Sequence, residues 1–365
     1  MLSPPSRPPS RNGAYLALSE SVSDPRALAR RFGADPDGAA AAAQSHPALV
    51  NPYFLSLIRR ADDPLGRQVI PHPAEILDPG HPDPLCEERL CPAPGLIRRY
   101  PDRALWVASS ACFVRCRYCM RKRLSPESAV AGDQALEAIR RDAAVREVIL
   151  SGGDPLTLSD EKLEDLLARL REIPHVRVLR VHTRAPGAWP FRITPELARL
   201  LASFSPLYVN VQFNHPAELT TQATKALATL ADAGIPLGSQ TVLLAGVNDR
   251  TGTLAELFQG LLELRVKPYY LHHLDRVPGT AHFAVPLSRG LRIMDRLRGR
   301  ISGMALPRYV VDLPGGRGKV PVTPQYLIRV EPDAWVFRGP SGRAVRVSQP
   351  RQPGAPDFTP CGKLC

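Results

Sequence analysis

From Ala104 onward, short apolar runs rich in β-branched residues alternate with longer stretches in which apolar residues recur every three or four positions. The short runs predict strands at Ala104–Ala108, Glu147–Ser151, Val176–His182, Leu207–Phe213, Pro236–Leu244 and Pro268–His272. The periodic stretches between them predict helices over 133–144, 159–172, 194–203, 217–233 and 251–264, and a further helix (287–300) and strand (Tyr309–Val311) follow. Ser159 is placed to cap the second helix, and Thr194-Pro195 reads as a cap followed by proline at the first helical position. Strand starts recur about every thirty residues, the length of one strand–helix crossover. Six such units predict an α/β fold, a parallel, barrel-like sheet with helices outside it.

Upstream the pattern changes. Asp24–Arg60 reads as helical, with Ala-rich runs around Ala39–Ala43, and residues 70–95 are dense in proline and read as an extended, wrapping segment. Residues 1–13, rich in Pro, Ser and Arg, are expected to be disordered. The expected organisation is a wrapping region over 1–98, a barrel over 99–312 and a C-terminal segment over 313–365.

Composition narrows the class. The 365 residues include no run near the ~18 apolar residues of a membrane span, and MLSPPSRPPSRNG lacks the apolar core of a secretory signal, so a cytoplasmic protein is expected. The net charge is +12. Arginines lie beside acidic residues, as in RLREIPHVRVLR, and no basic run interleaves with aromatics, so the charge reads as compositional bias rather than a nucleic-acid surface. Seven cysteines, an odd number in a long chain of this class, argue against a disulfide framework and for metal ligation or catalysis.

In a barrel of parallel strands, chemistry gathers at the C-terminal strand ends. The loop after the first strand carries ACFVRCRYCMRKR, with Cys112, Cys116 and Cys119 spaced C-x3-C-x2-C. The loop after the second carries Ser151-Gly152-Gly153-Asp154, where the glycines let backbone approach a ligand. The fifth strand holds a polar Gln240, and the sixth leads to Asp275. Structural zinc needs four ligands, and no fourth Cys or His is nearby. Three thiolates suit an iron–sulfur cluster with one open iron.

VVDLPGGRGKVPV sets Lys319 after a glycine-rich turn. It is not a phosphate-binding P-loop: Leu313 and Val320 stand where Gly and Ser or Thr are required, and Pro321 and Pro324 block the following helix. Two readings remain, a surface lysine on a β-turn and a Schiff-base lysine, which the local sequence does not separate. RRYPDR supplies Arg99, Tyr100 and Arg103, suited to a phosphate and an aromatic ring, as pyridoxal phosphate (PLP) would need.

The cysteine spacing, with Tyr118 before the last thiol, resembles the radical S-adenosylmethionine (SAM) superfamily. Together with NPYFLSLIRRADDP, PGLIRRYPDR, LSGGDPL, REIPHV, FNHPAELT, ADAGIPLGSQTVLLAGVND, PYYLHHLD and DLPGGRGK, it resembles the lysine 2,3-aminomutase family over about Asn51–Tyr326. That resemblance implies a radical SAM partial (β/α)6 TIM-like barrel with an N-terminal helical extension. It implies that Cys112, Cys116 and Cys119 ligate a [4Fe–4S] cluster whose open iron binds SAM, with Ser151, Gly152, Gly153, Asp154 and Gln240 on the SAM side. It implies that Lys319 is the catalytic lysine carrying PLP, with Arg99, Tyr100 and Arg103 around it. By the same correspondence Arg121 meets the substrate carboxylate, and Asp275 and Asp312 hold the distal ammonium of L-lysine. The implied reaction is an isomerisation of L-lysine to β-lysine, with an electron donor such as flavodoxin or ferredoxin and a homo-oligomeric state; neither a membrane nor nucleic acid is an expected partner.

Departures from the family pattern are local. Catabolic members carry a zinc site built from C-terminal cysteines and one after VND; Arg250 stands there, and the tail offers only Cys361 and Cys365. Gln212 replaces a histidine near SAM, and Cys86 and Cys91 read as incidental. PYYLHHLDRVPGTAHF leans toward the branch that makes β-lysine for elongation factor P, whereas DLPGGRGK leans toward the free-lysine branch. An RNA-modifying radical SAM enzyme and a non-catalytic binding module are the remaining alternatives.

Overall fold

Nine strands pair in the order in which they occur along the chain. β1 (Leu96–Tyr100) is antiparallel to β2 (Arg103–Ser109). From β2 the ladder is parallel through β3 (Glu147–Gly152), β4 (Val178–Thr183), β5 (Leu207–Gln212), β6 (Leu237–Val242), β7 (Val266–His272) and β8 (Arg308–Asp312). β9 (Lys319–Pro321) then returns antiparallel to β8. This computed structural model describes residues 19–124, 130–331, 333–339 and 341–348. Residues 1–13, Cys361 and Cys365 lie outside them.

Each parallel connection contains a helix: Asp133–Arg141, Asp160–Arg171, Pro195–Ser203, Thr221–Asp232, Thr251–Glu263 and Leu287–Leu297. The six expected units are therefore present, as a curled half-barrel with helices around it. Ser159 and Thr194 cap their helices through the Lys162 and Leu197 N–H groups. The helix expected from 217 starts instead at Thr221, because His215 caps a separate 3-10 turn (Pro216–Glu218) and Thr220 caps the helix itself. Upstream, Asp24-Pro25, Asp35-Pro36 and Asn51-Pro52 each cap and start a helix. Residues 70–95 hold only short turns and strap the barrel.

The strands are two-faced. Along β4, Leu179, Val181 and Thr183 are buried, while Arg180 and His182 alternate with them and line the barrel interior. The outer face packs on helix residues such as Leu163, Leu167, Leu197, Leu227 and Leu257 to form the main core. The inner face is polar, with Glu147, Arg180, His182, Asn210, Gln240 and His272 facing a cavity rather than a packed interior. The polar interruptions in the apolar runs are thus the positions that face the ligand space.

The sheet's two edges meet through side chains. Arg99 of β1 donates to Asp312 of β8 at 3.0 Å, and the Lys319 N–H of β9 donates to the Tyr100 hydroxyl of β1 at 2.8 Å. Two antiparallel edge strands, β1 and β9, escaped the sequence pattern because each is short and flanked by proline or glycine. A second compact unit begins at Thr323. It contains a three-stranded antiparallel sheet, β10 (Leu327–Glu331), β11 (Ala334–Arg338) and β12 (Ala344–Ser348), where the sequence indicated only a tail.

Candidate active site

A cavity of about 580 Å³ opens at the C-terminal ends of the parallel strands. Cys112, Cys116 and Cys119 line one part of it; Cys86 and Cys91 are not among its lining residues. The cysteine loop is held from outside by backbone and by one buried arginine. Arg115 N–H donates to Leu49 O at 2.9 Å, Arg117 N–H to Gln68 O at 2.8 Å, and the Asn51 amide to Phe113 O at 2.9 Å. Arg117 is wholly buried between two cysteines and donates twice to Glu75, at 2.9 and 2.8 Å. Burial, and the charges of the neighbouring thiols, push the Cys112 and Cys119 thiols above their ordinary range. Soft thiol donors raised in this way need a cationic centre to ionise them. Among the described residues no group of three His, Cys, Asp or Glu closes on a single ion. A cubane is larger than an ion and takes each thiolate on a different iron, so this donor set fits a cluster.

Gly152 and Gly153 serve a purpose that the sequence did not reveal. A Cβ on Gly153 would lie 2.2 Å from Ala111 O, and one on Gly152, at φ +111°, would lie 2.6 Å from Ser109 O. The glycines make room for the backbone leading into the cysteine loop, whether or not a ligand also lies near. Asp154 continues this scaffold: its carboxylate accepts from Leu156 N–H, Thr183 Oγ1 and Arg184 N–H at 3.0, 2.8 and 2.8 Å. Gly153→Ala is expected to lower stability by about 1–3 kcal/mol, the scale of overpacking. A thermal melt with iron quantification checks this; a wild-type melting temperature and iron content would contradict it.

Lys319 stands at another wall of the cavity. In the β8–β9 hairpin Asp312 is directly opposite Lys319, so both side chains leave one face. Lys319 Nζ donates to Asp312 Oδ2. The turn needs glycine: at Gly316, φ +73°, a Cβ would meet Leu85 O at 2.7 Å. Arg103 stacks on the Tyr100 ring, 4.0 Å from its centroid. Among the described residues, Arg99 Nε and Arg180 Nε are buried without a hydrogen-bond partner. Unused guanidinium donors in a cavity that also holds a lysine amine fit a phosphate-bearing carbonyl compound. Burial pushes Asp312 up, but His272 and the Lys319 charge outweigh it and hold the carboxyl below its usual range. Asp275 lines the same cavity, and burial, with the Asp312 charge, raises it to about 7.

The chain matches the radical SAM superfamily over residues 106–258 and the lysine-2,3-aminomutase family over residues 294–355. It is 43% identical to the L-lysine 2,3-aminomutase of Clostridium subterminale, over 86% of this chain and 78% of that one. The chain belongs to the lysine 2,3-aminomutase family. Its likeness to the L-lysine 2,3-aminomutase of Fusobacterium nucleatum is 42%, over 91% of this chain and 80% of that one. Its likeness to the glutamate 2,3-aminomutase of Clostridioides difficile is 41%, over 82% and 72%. A radical SAM methyltransferase from Sphaerobacter thermophilus superposes at a TM-score of 0.44 with 18% identity, over 61% of this chain and 72% of that chain, too loosely to add to the argument. As an aminomutase of this family the chain is an isomerase with a radical SAM domain, which implies a [4Fe–4S] cluster, SAM and a small amino-acid substrate. No helix among the described residues is long and apolar enough to cross a membrane.

In this aminomutase the cations after the cysteines are matched by the strap. Glu87 accepts from Arg121 at 3.0 and 2.7 Å and from Arg123 at 2.8 Å, and Glu75 accepts from Lys122 at 3.1 Å. Arg121, expected to await a substrate carboxylate, thus lines the cavity already paired. Gln240 lines it too. Gln212 donates to the Tyr118 hydroxyl at 3.2 Å, which Asn214 also reaches at 2.6 Å, so this polar pair locks the residue before Cys119. Sequence reasoning missed Arg184. Its guanidinium donates to Cys116 Sγ at 2.7 Å, Gln68 Oε1 at 2.7 Å and Glu218 Oε2 at 3.2 Å. The sequence signal was available, an arginine directly after a strand end, but its partners are 34 to 116 residues away. It also missed Glu87 and His272, whose partners are equally remote.

Proposed function

We propose that the protein converts L-lysine to β-lysine, moving the α-amino group to C3, with PLP carried on Lys319. The observation that carries this reading is the pair of carboxylates, Asp275 and Asp312, in the cavity that also holds Lys319 and the three thiols. Cys112, Cys116 and Cys119 would hold the cluster, with Gln240 beside SAM. Arg99, Tyr100 and Arg103 would hold PLP. When bound, the cluster with SAM supplies a radical at the substrate and PLP supplies a carbonyl for Lys319 and for the migrating amino group.

The chain's own residues bind, orient and shield. Arg121 offers a fixed guanidinium for the substrate carboxylate, two residues from Cys119, so the reacting carbons lie near the radical source. Glu87 holds that guanidinium in place. Asp275 and Asp312 favour a cationic side chain and repel the carboxylate of glutamate. Overall similarity does not separate these substrates, since relatives of either kind are comparably close; the two acidic side chains are what supports lysine. An electron donor such as flavodoxin or ferredoxin would reduce the cluster.

Asp275 makes lysine binding pH-dependent. Below about 7 its carboxyl is protonated and cannot pair with an ammonium; above, it is ionised. Binding a cation therefore releases a proton, and KM for lysine is expected to fall by up to about tenfold per pH unit as pH rises toward 7, then level off. Asp275→Asn should flatten that limb and raise KM. A KM–pH series on both proteins checks this; identical profiles would contradict it.

The direct test is anaerobic reconstitution with iron, sulfide, PLP, SAM, a reductant and L-lysine, followed by chromatography. β-Lysine is expected. Conversion of glutamate in preference to lysine, or turnover only on RNA, would overturn the reading.

A further inference from the structure

We propose that His272 is the proton-transfer group for Lys319, accepting a proton as that nitrogen bonds a carbonyl and returning it as water leaves. The inference rests on the reading of Lys319 as the PLP lysine. An ammonium has no lone pair, so a lysine held as a cation cannot attack a carbonyl until a base takes its proton. Three groups stand near enough to be considered. Asp312 accepts from Lys319 but also from Arg99, at 3.0 Å, so two cations already engage its oxygens. Asp275 lines the cavity, yet no hydrogen bond joins it to Lys319 among the described residues. His272 Nδ1 lies 3.4 Å from Lys319 Nζ.

The tautomer follows from this contact. Lys319 only donates, so Nδ1 must accept, which places the imidazole proton on Nε2. Nε2 is buried without a hydrogen-bond partner among the described residues. Burial and the Lys319 charge lower the imidazole's basicity, against the opposing pull of Asp312, so it is neutral and able to accept at neutral pH. The charged and titratable groups around it are Lys319 of β9, Asp312 of β8, and Tyr270 of β7, whose ring stands edge-on at 5.5 Å. From β4, His182 faces it, kept neutral by burial and by Arg180. None of these competes as a base for Lys319.

The step balances. One ammonium proton passes to Nδ1, and the freed lone pair forms the N–C bond while the C=O π pair moves to oxygen. A second nitrogen proton shifts to that oxygen. The imidazolium then protonates the hydroxyl, water leaves, and the C=N bond forms with its positive charge on nitrogen. His272 ends as it began.

The test uses the full chain mixed with pyridoxal phosphate and followed by its absorbance in a stopped-flow instrument, with borohydride reduction and peptide mapping at the end. In His272→Gln and His272→Ala the rate of bond formation should fall by about 10²- to 10⁴-fold, while the adduct still maps to Lys319. Free imidazole should restore part of the His272→Ala rate, which a merely structural loss would not allow. Wild-type rates in both variants would overturn the role of His272. No borohydride-fixed Lys319 in the wild-type protein would instead overturn the PLP reading, and this inference with it.

Discussion

Cys112→Ala is expected to leave a folded chain that does not turn over. The thiol lines the cavity beside Cys116 and Cys119, and no other described cysteine lines it to take over as a ligand. Two thiolates do not hold a cubane that must keep one iron open for SAM. The fold has little reason to suffer. The loop is fixed through Leu49, Asn51, Gln68 and Glu75, none of which bonds the Cys112 side chain. Loss of one sulfur in the wall of an open cavity costs on the order of 1 kcal/mol. The variant should therefore melt within a few degrees of the wild type, carry little iron and sulfide after anaerobic reconstitution, and show neither SAM cleavage nor product. Turnover within tenfold of wild type would remove the cysteine cluster from the mechanism.

Lys319→Ala should reduce turnover on the order of 10⁴-fold or more, the scale of losing a group that acts within a catalytic unit. Its local effect on the fold is confined. Asp312 keeps Arg99 at 3.0 Å, so its carboxylate is not left buried and unpaired. The bond from residue 319 to the Tyr100 hydroxyl comes from the backbone N–H and survives the substitution. Cluster content should be unchanged, since the thiols belong to a different loop. PLP should no longer be fixed to the protein by borohydride. A variant that still binds PLP covalently and makes product would transfer the carbonyl chemistry to another amine.

Together the two variants separate the halves of the cavity. The first removes the radical source and spares the amine; the second spares the iron. Asp275 then reports on the substrate alone, because its carboxylate touches neither the thiols nor Lys319 by hydrogen bond among the described residues. Its pH-dependent KM distinguishes a lysine-binding pocket from one that merely contains a buried acid.

The sequence by itself determined whatever is local or periodic. Parallel strands and their helices follow from the alternation of apolar runs, because each strand must bury one face against the helices that flank it. The three thiols lie within eight positions, and Asp312 and Lys319 are seven apart across a tight hairpin, so both groupings survive in one dimension. The tertiary structure alone decided the long-range pairings. Curling of the sheet brings Arg99 to Asp312 across 213 positions, the strap turns Glu87 onto Arg121, and Arg184 reaches Cys116 across 68 positions. It also gave Gly152 and Gly153 a role as room for the cysteine loop, since a Cβ on either would meet the backbone that leads into it. Charge and hydrogen-bond complementarity carries no period along a chain. It arises only once apolar burial has fixed which strand faces which, and the residues that set protonation and orientation around the cavity belong to that second stage.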